Sequence, residues 1–206
     1  MNRVILSAST DETILAVTRQ HKLVDLEIEQ QINTEIVGCI YKGVVKNIVP
    51  TVDGIFVDIG IGKNAFLRRK DLLNEKRFPT EGSPILAQVI KSDTDMKGAL
   101  ITEKISMFGK YAVTLSGTGY IGVSKKIRQE SVRKRLKEIG KEICAEHMGL
   151  IIRTAAENAD MDEFRKDITR LKENWDIIQK RFRMEKSPTL LYRDCLLYTS
   201  PSPRDA

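Results

Sequence analysis

The chain has 206 residues, 41% of them hydrophobic and 30% charged, a composition suited to one large or two small domains with real cores. Lysine and arginine outnumber aspartate and glutamate by 34 to 28, and the net charge of +6 favours a polyanionic partner without requiring one. No apolar run reaches the ~18 residues of a membrane span, and the N-terminal MNRVILSASTDE holds too short an apolar stretch for a signal peptide.

Residues 3–29 read as β-hairpin material. RVILSAS is a short apolar run and ETILAVT follows it. After the polar turn RQHK comes LVDLEIE, in which Leu23, Asp25 and Glu27 alternate with Val24, Leu26 and Ile28. Strands this few do not make an independent domain and call for a partner sheet.

Residues 36–104 read as a compact all-β unit. Candidate strands lie at 38–49, 54–59, 64–67, 85–92 and 98–103, with glycine- and proline-rich turn signals between them. Five short strands at this spacing predict a small closed barrel such as an OB-fold. In the second, Ile55, Val57 and Ile59 alternate with Phe56, Asp58 and Gly60. In the third, Phe66 is flanked by Ala65 and Leu67. A period of two puts the aliphatic rows on one face and the two phenylalanines on the other. Outward rings on a basic barrel form a platform for stacking nucleobases; equally, both rings can lie in a second hydrophobic layer. Lys97 and Gly98 fall at the tip of the last hairpin, where a lysine is either solvated or in reach of a phosphate.

Beyond residue 105 the pattern changes. YAVTLSG and YIGVS look like strands. A helix follows around 128–145, with Val132, Leu136, Ile139 and Ile143 on one stripe and dense lysine and arginine elsewhere, a solvated face or an RNA-holding one. GLIIRTAAE is a buried-strand pattern that runs out at Arg153 and Thr154. The spacing of Phe164, Ile168, Leu171, Trp175, Ile178 and Phe182 predicts a second helix over 161–184, capped by Asp160 with Glu163 as a capping-box partner. Trp175 on that stripe reads as core. The final CLLYTSPSPRDA has no periodicity and reads as disordered. It looks like translated adapter read-through, so the natural chain is expected to continue past about Asp194. Cys39, Cys144 and Cys195 are odd in number and far apart, without a C-x-x-C, which argues for a reducing compartment and against a disulfide framework or cysteine zinc site. His21 and His147 have no acidic or cysteine cluster nearby and read as surface or turn residues.

EIVGCIYKGVVKNIVPTVDGIFVDIGIGKNAFL, KGALIT, YIGVSKKI and GLIIRTAAE, in this order and spacing, together resemble the N-terminal half of the ribonuclease E/G family, over about residues 1–194. IYKGVV with FVDIG alone would fit many OB-fold RNA binders of the S1 type; RTAAE, beginning at Arg153 some way on from GVSKKI at Gly122, would not. The resemblance implies an α+β chain. Residues 1–35 would open an RNase H-like subdomain, 36–104 would be the inserted S1 RNA-binding barrel, 105–194 a small α/β 5′-sensor, and 195–206 a non-native tail.

It further implies RNA-contacting roles for Phe56, Phe66 and Lys97. Arg153 and Thr154 would hold a 5′-monophosphate, with backbone contributions from Gly122 and Val123. The family's magnesium-holding catalytic aspartates, and the zinc-binding cysteines that join its protomers into oligomers, fall past residue 206. No catalytic or metal-ligand role is therefore expected here, and Asp53 and Asp58 belong to the S1 strand region. The implied function is the RNA-handling portion of a metal-dependent single-strand endoribonuclease of the bacterial cytoplasm, acting in rRNA processing and mRNA decay on RNA with a 5′-monophosphate. The alternative is a stand-alone OB-fold RNA-binding module without catalytic activity. A ribosomal or translation factor with an OB-fold is a third, weaker reading, because it has no place for the sensor segment.

Overall fold

The computed structural model describes residues 2–8, 12–20, 22–30, 36–94, 97–144 and 148–193. The roles expected for His21 and His147, and the disordered tail expected over 195–206, lie outside these residues. The chain divides into two units, one holding the first three strands and the other spanning 37–193.

In the first unit β1 (Asn2–Ala8), β2 (Glu12–Arg19) and β3 (Lys22–Gln30) form an antiparallel meander, a strand more than a hairpin. Leu15 and Val17 of the central strand are buried. Gln20 adopts φ 50° in the tight connection between β2 and β3.

The second unit begins with the expected five-stranded barrel. β4 (Ile40–Val49), β5 (Gly54–Asp58), β6 (Ala65–Arg68), β7 (Pro84–Lys91) and β8 (Leu100–Thr102) pair in the order β4-β5-β6-β8-β7, and β7 closes onto β4. The alternation read from the sequence is the inward row. Val45, Ile55, Val57, Ala65, Leu67, Ile85, Ala87, Val89 and Ile101 are all buried, and each large aliphatic side chain withdrawn from water contributes about 1.5–3 kcal/mol.

A mixed sheet with two helices on one face follows. Its strands are β9 (Ser106–Phe108), β10 (Ala112–Ser116), β11 (Ile121–Val123) and β12 (Met148–Ile152), in the order β11-β12-β10-β9. β11 and β12 are parallel, and α1 (Glu130–Ile143) is the crossover that parallel pairing demands. α2 (Met161–Met184) has the bounds its stripe predicts. Phe164, Ile168, Leu171 and Ile178 are buried against Leu136 of α1 and Leu150 and Ile152 of β12, while Trp175 and Phe182 are half-buried on the same core. Asp160 caps α2, accepting from the N–H groups of Asp162 and Glu163.

The chain then returns to the barrel. β13 (Thr189–Tyr192) pairs antiparallel with β4, on the edge opposite β7. Two polar side chains reinforce this joint. Lys42 of β4, only 9% exposed, donates to the carbonyls of Phe182 (2.6 Å) and Glu185 (2.7 Å) at the C-terminal end of α2, where a cation meets the negative end of the helix. Gln88 of β7 donates to the carbonyls of Gly38 and Ser106 and accepts from the Ser106 N–H.

Candidate nucleic-acid interface

The outward row of the barrel is built by register. Phe56 lies opposite Asn47 of β4 on one side and Phe66 of β6 on the other, and Phe66 pairs with Leu100 of β8. The two ring centroids are 5.4 Å apart with planes inclined at 52°. Phe56 is 36% exposed and Phe66 half-buried. Gly54 makes the arrangement possible: a Cβ there would stand 2.3 Å from two atoms of the Phe66 ring. That glycine, missing from the sequence reading, is detectable as a strand-opening glycine two residues before an outward aromatic.

Lys97 is exposed, in a turn where the Thr94 and Lys97 N–H groups each donate to the other's carbonyl. The next residue, Gly98, packs on the Asn64 backbone, and Ala99 O accepts from Phe66 N at 2.7 Å. The Lys97 loop is thereby tied to the residues that open β6. Lys63 donates to Thr94 O in the same loop, and Lys46 pairs with Asp58 at 3.3 Å.

The second cluster forms where the parallel strands β11 and β12 end side by side, the place where ligands sit in sheets of this kind. Arg153 follows β12. Its backbone N–H donates to Tyr111 O, and its Nη1 donates to Gly109 O at 3.0 Å and more weakly to Lys110 O at 3.5 Å. Thr154 opens a single 3-10 turn, and its hydroxyl lies 3.0 Å from that of Ser124. Lys125 and Lys126 are exposed in the same loop as Ser124. Arg133 of α1 holds this loop from below through the carbonyls of Ser124 and Ile127. Among the described residues no ion pair involves Arg153, Lys125 or Lys126. A guanidinium held by one nitrogen keeps its other N–H groups for an anion.

Gly122 and Val123 lie within β11, Gly122 buried beside the Tyr120 ring and Val123 opposite Ile152. They form the frame that carries Ser124 to Thr154. Ser124, Lys125 and Lys126 are additions to the sequence reading; their position depends on the parallel register, which short strands do not declare. On the sheet face away from the helices, Phe108, Val113 and Ile151 make one cross-strand row, with Phe108 and Ile151 exposed. Arg153, two residues past Ile151, continues on that side.

Beside this cluster, burial and then the hydrogen bond to Glu163 raise the Tyr111 phenol above its ordinary range, so it donates to Glu163 at 2.6 Å. Among the described residues no three metal-ligating side chains gather, and Asp53 and Asp58 are each paired with a cation, Arg69 and Lys46. These residues do not fit a magnesium centre.

Residues 34–102 match the S1 RNA binding domain and residues 106–201 the Ribonuclease E/G family model. The chain is 33% identical over 211 residues to Ribonuclease G of Escherichia coli (strain K12), covering 94% of this chain and 43% of that protein. It is 34% identical over 203 residues to Ribonuclease G of Haemophilus influenzae, covering 90% and 41%. To Ribonuclease E of Synechocystis sp. it is 34% identical over 178 residues, covering 82% and 26%. The chain thus spans less than half the length of these relatives. With an S1 barrel, a match to the family model over the residues that follow it, and this likeness along nearly all of its length, the chain belongs to the ribonuclease E/G family.

Proposed function

We propose that this chain is the RNA-handling portion of a single-strand endoribonuclease that acts in rRNA processing and mRNA decay in the bacterial cytoplasm. The barrel stacks bases of the strand on Phe56 and Phe66, with Lys97 on a neighbouring phosphate. The cluster at the ends of β11 and β12 receives a 5′-monophosphate. There the Arg153 guanidinium offers a planar fork to two phosphate oxygens and the Thr154 hydroxyl donates to a third. Ser124, Lys125 and Lys126 add a donor and positive charge. Residues 1–35, 36–104 and 105–194 are the matching subdomains, with β13 lending its strand to the barrel. In the whole enzyme a magnesium ion would activate water for phosphodiester cleavage and a zinc link would join protomers; among the described residues no cluster of side chains fits either ion. The alternative of a stand-alone OB-fold RNA-binding module shares this surface and differs only in lacking cleavage.

The observation that carries this reading is the cross-strand phenylalanine pair, partly open to solvent, within the same compact unit as an arginine that pairs with no carboxylate among the described residues. The test compares one oligoribonucleotide with a 5′-monophosphate and with a 5′-hydroxyl. Arg153→Ala is expected to weaken binding of the first and leave the second unchanged. Equal loss on both would refute the phosphate pocket.

A further inference from the structure

We infer that Asp167 is a positioning residue for Arg153, acting through the turn between β9 and β10; the inference rests on the phosphate-pocket reading above. Asp167 lies on the inward face of α2 and is the one buried carboxylate among the described residues, 7% exposed. Its oxygens accept from Lys110 N at 3.2 Å, Tyr111 N at 2.8 Å and Arg170 Nη2 at 2.9 Å. The N–H of Lys110 and the C=O of Gly109 belong to one peptide group. So do the N–H of Tyr111 and the C=O of Lys110. Those same two carbonyls receive Arg153 Nη1. Two consecutive peptide planes are therefore gripped at their N–H end by a carboxylate and at their C=O end by the guanidinium.

Hydrogen bonds in such a chain polarise one another, so the carboxylate strengthens the hold of the carbonyls on Arg153. A direct Asp–Arg pair would occupy the fork that an anion needs. Working through peptide groups fixes the arginine and leaves its remaining donors available. Gly109 is required for the approach, since a Cβ there would stand 2.5 Å from Asp167 Oδ2 and 2.9 Å from Oδ1.

The experiment measures the ratio of affinities for 5′-monophosphorylated and 5′-hydroxyl RNA on the full chain. Asp167→Asn replaces one accepting oxygen with a group that cannot accept, and is expected to lower the ratio about fivefold or more with 5′-hydroxyl affinity unchanged. Adding it to Arg153→Ala is expected to lower the ratio no further. Gly109→Ala, which pushes the carboxylate back without removing its charge, is expected to act the same way and decides the matter should Asp167→Asn not fold. A folded variant with the wild-type ratio, or with both RNAs weakened equally, overturns the inference while an intact Arg153→Ala effect preserves the pocket. Failure of both variants to fold also overturns it, since the residue then supports the fold and not the arginine. A wild-type ratio of one removes the pocket reading itself.

Discussion

Replacing Phe56 with leucine separates stacking from packing. Phe56 is 36% exposed, and its ring lies 5.4 Å from that of Phe66. Leucine keeps most of the buried apolar contact and gives up the aromatic pair, which contributes ~0.5–1.5 kcal/mol beyond its area. The expected loss of stability is therefore about 1 kcal/mol. The loss in RNA binding is larger. One base that no longer stacks forfeits ~1–3 kcal/mol, a weakening of roughly 5- to 150-fold in Kd. Fluorescence anisotropy with a 3′-labelled, 5′-hydroxyl oligoribonucleotide at fixed salt measures this without involving the phosphate pocket. The dependence of affinity on salt should keep its slope, because no phosphate contact is removed. Phe56→Tyr should bind as the wild type does. If Phe56→Leu binds within about twofold of the wild type, the two rings are a second hydrophobic layer and the stacking argument of the barrel face is wrong.

Lys97→Ala should weaken single-stranded RNA of any sequence and reduce the salt slope by about 0.7, the share of one phosphate contact; an unchanged slope would assign Lys97 to solvent. Lys42→Met should lower the unfolding free energy by about 2 kcal/mol, because two carbonyls at the end of α2 lose a charged donor. Urea denaturation followed by Trp175 fluorescence checks it, and an unchanged midpoint would show that water caps the helix equally well. Glu103 has its pKa raised by burial, so the folded protein keeps that proton to a higher pH than the unfolded chain does. Stability should therefore fall as pH rises from the ordinary glutamate range through the folded value, and stay lower above it. Glu103→Gln retains an oxygen for the Leu73 N–H that Glu103 accepts at 2.9 Å. It should flatten that slope in thermal melts between about pH 4 and 7; an unaltered slope would locate the titration elsewhere.

Much of this fold is legible because its causes are local. The bounds of α2 follow from an apolar stripe and a cap that are both adjacent in sequence. The barrel strands follow from inward aliphatic rows, and the outward direction of Phe56 and Phe66 from the same alternation. What escapes is set by distant partners. β13 is four residues long, and its strand conformation comes from the edge of β4 it completes. Ser124 reaches Thr154 only because β11 and β12 run parallel. Arg153 and Thr154 are unremarkable at a strand end until a resemblance singles them out. Asp167 offered a signal that is readable in principle: with Phe164, Ile168 and Leu171 around it, a carboxylate on the buried stripe must find donors, and the turn at Lys110 and Tyr111 supplies them.

On the proposed reading, the joint between the barrel and the mixed sheet bears on how two weak grips make one selective one. Gln88 ties β7 to β9, Lys42 ties β4 to the end of α2, and β13 carries the chain back onto β4. The phenylalanine pair and Arg153 both belong to the one compact unit spanning 37–193. When two sites are fixed in this way, a strand held at the first presents its remainder to the second at a high effective concentration, provided that it is long enough to span them. On the proposed reading, preference for a 5′-monophosphate should then depend on RNA length. Below the spanning length, Arg153→Ala and Phe56→Leu should act independently. Above it their effects should couple, because loss of either grip removes the advantage of the other. Independent effects at every length would mean that the two surfaces hold different strands.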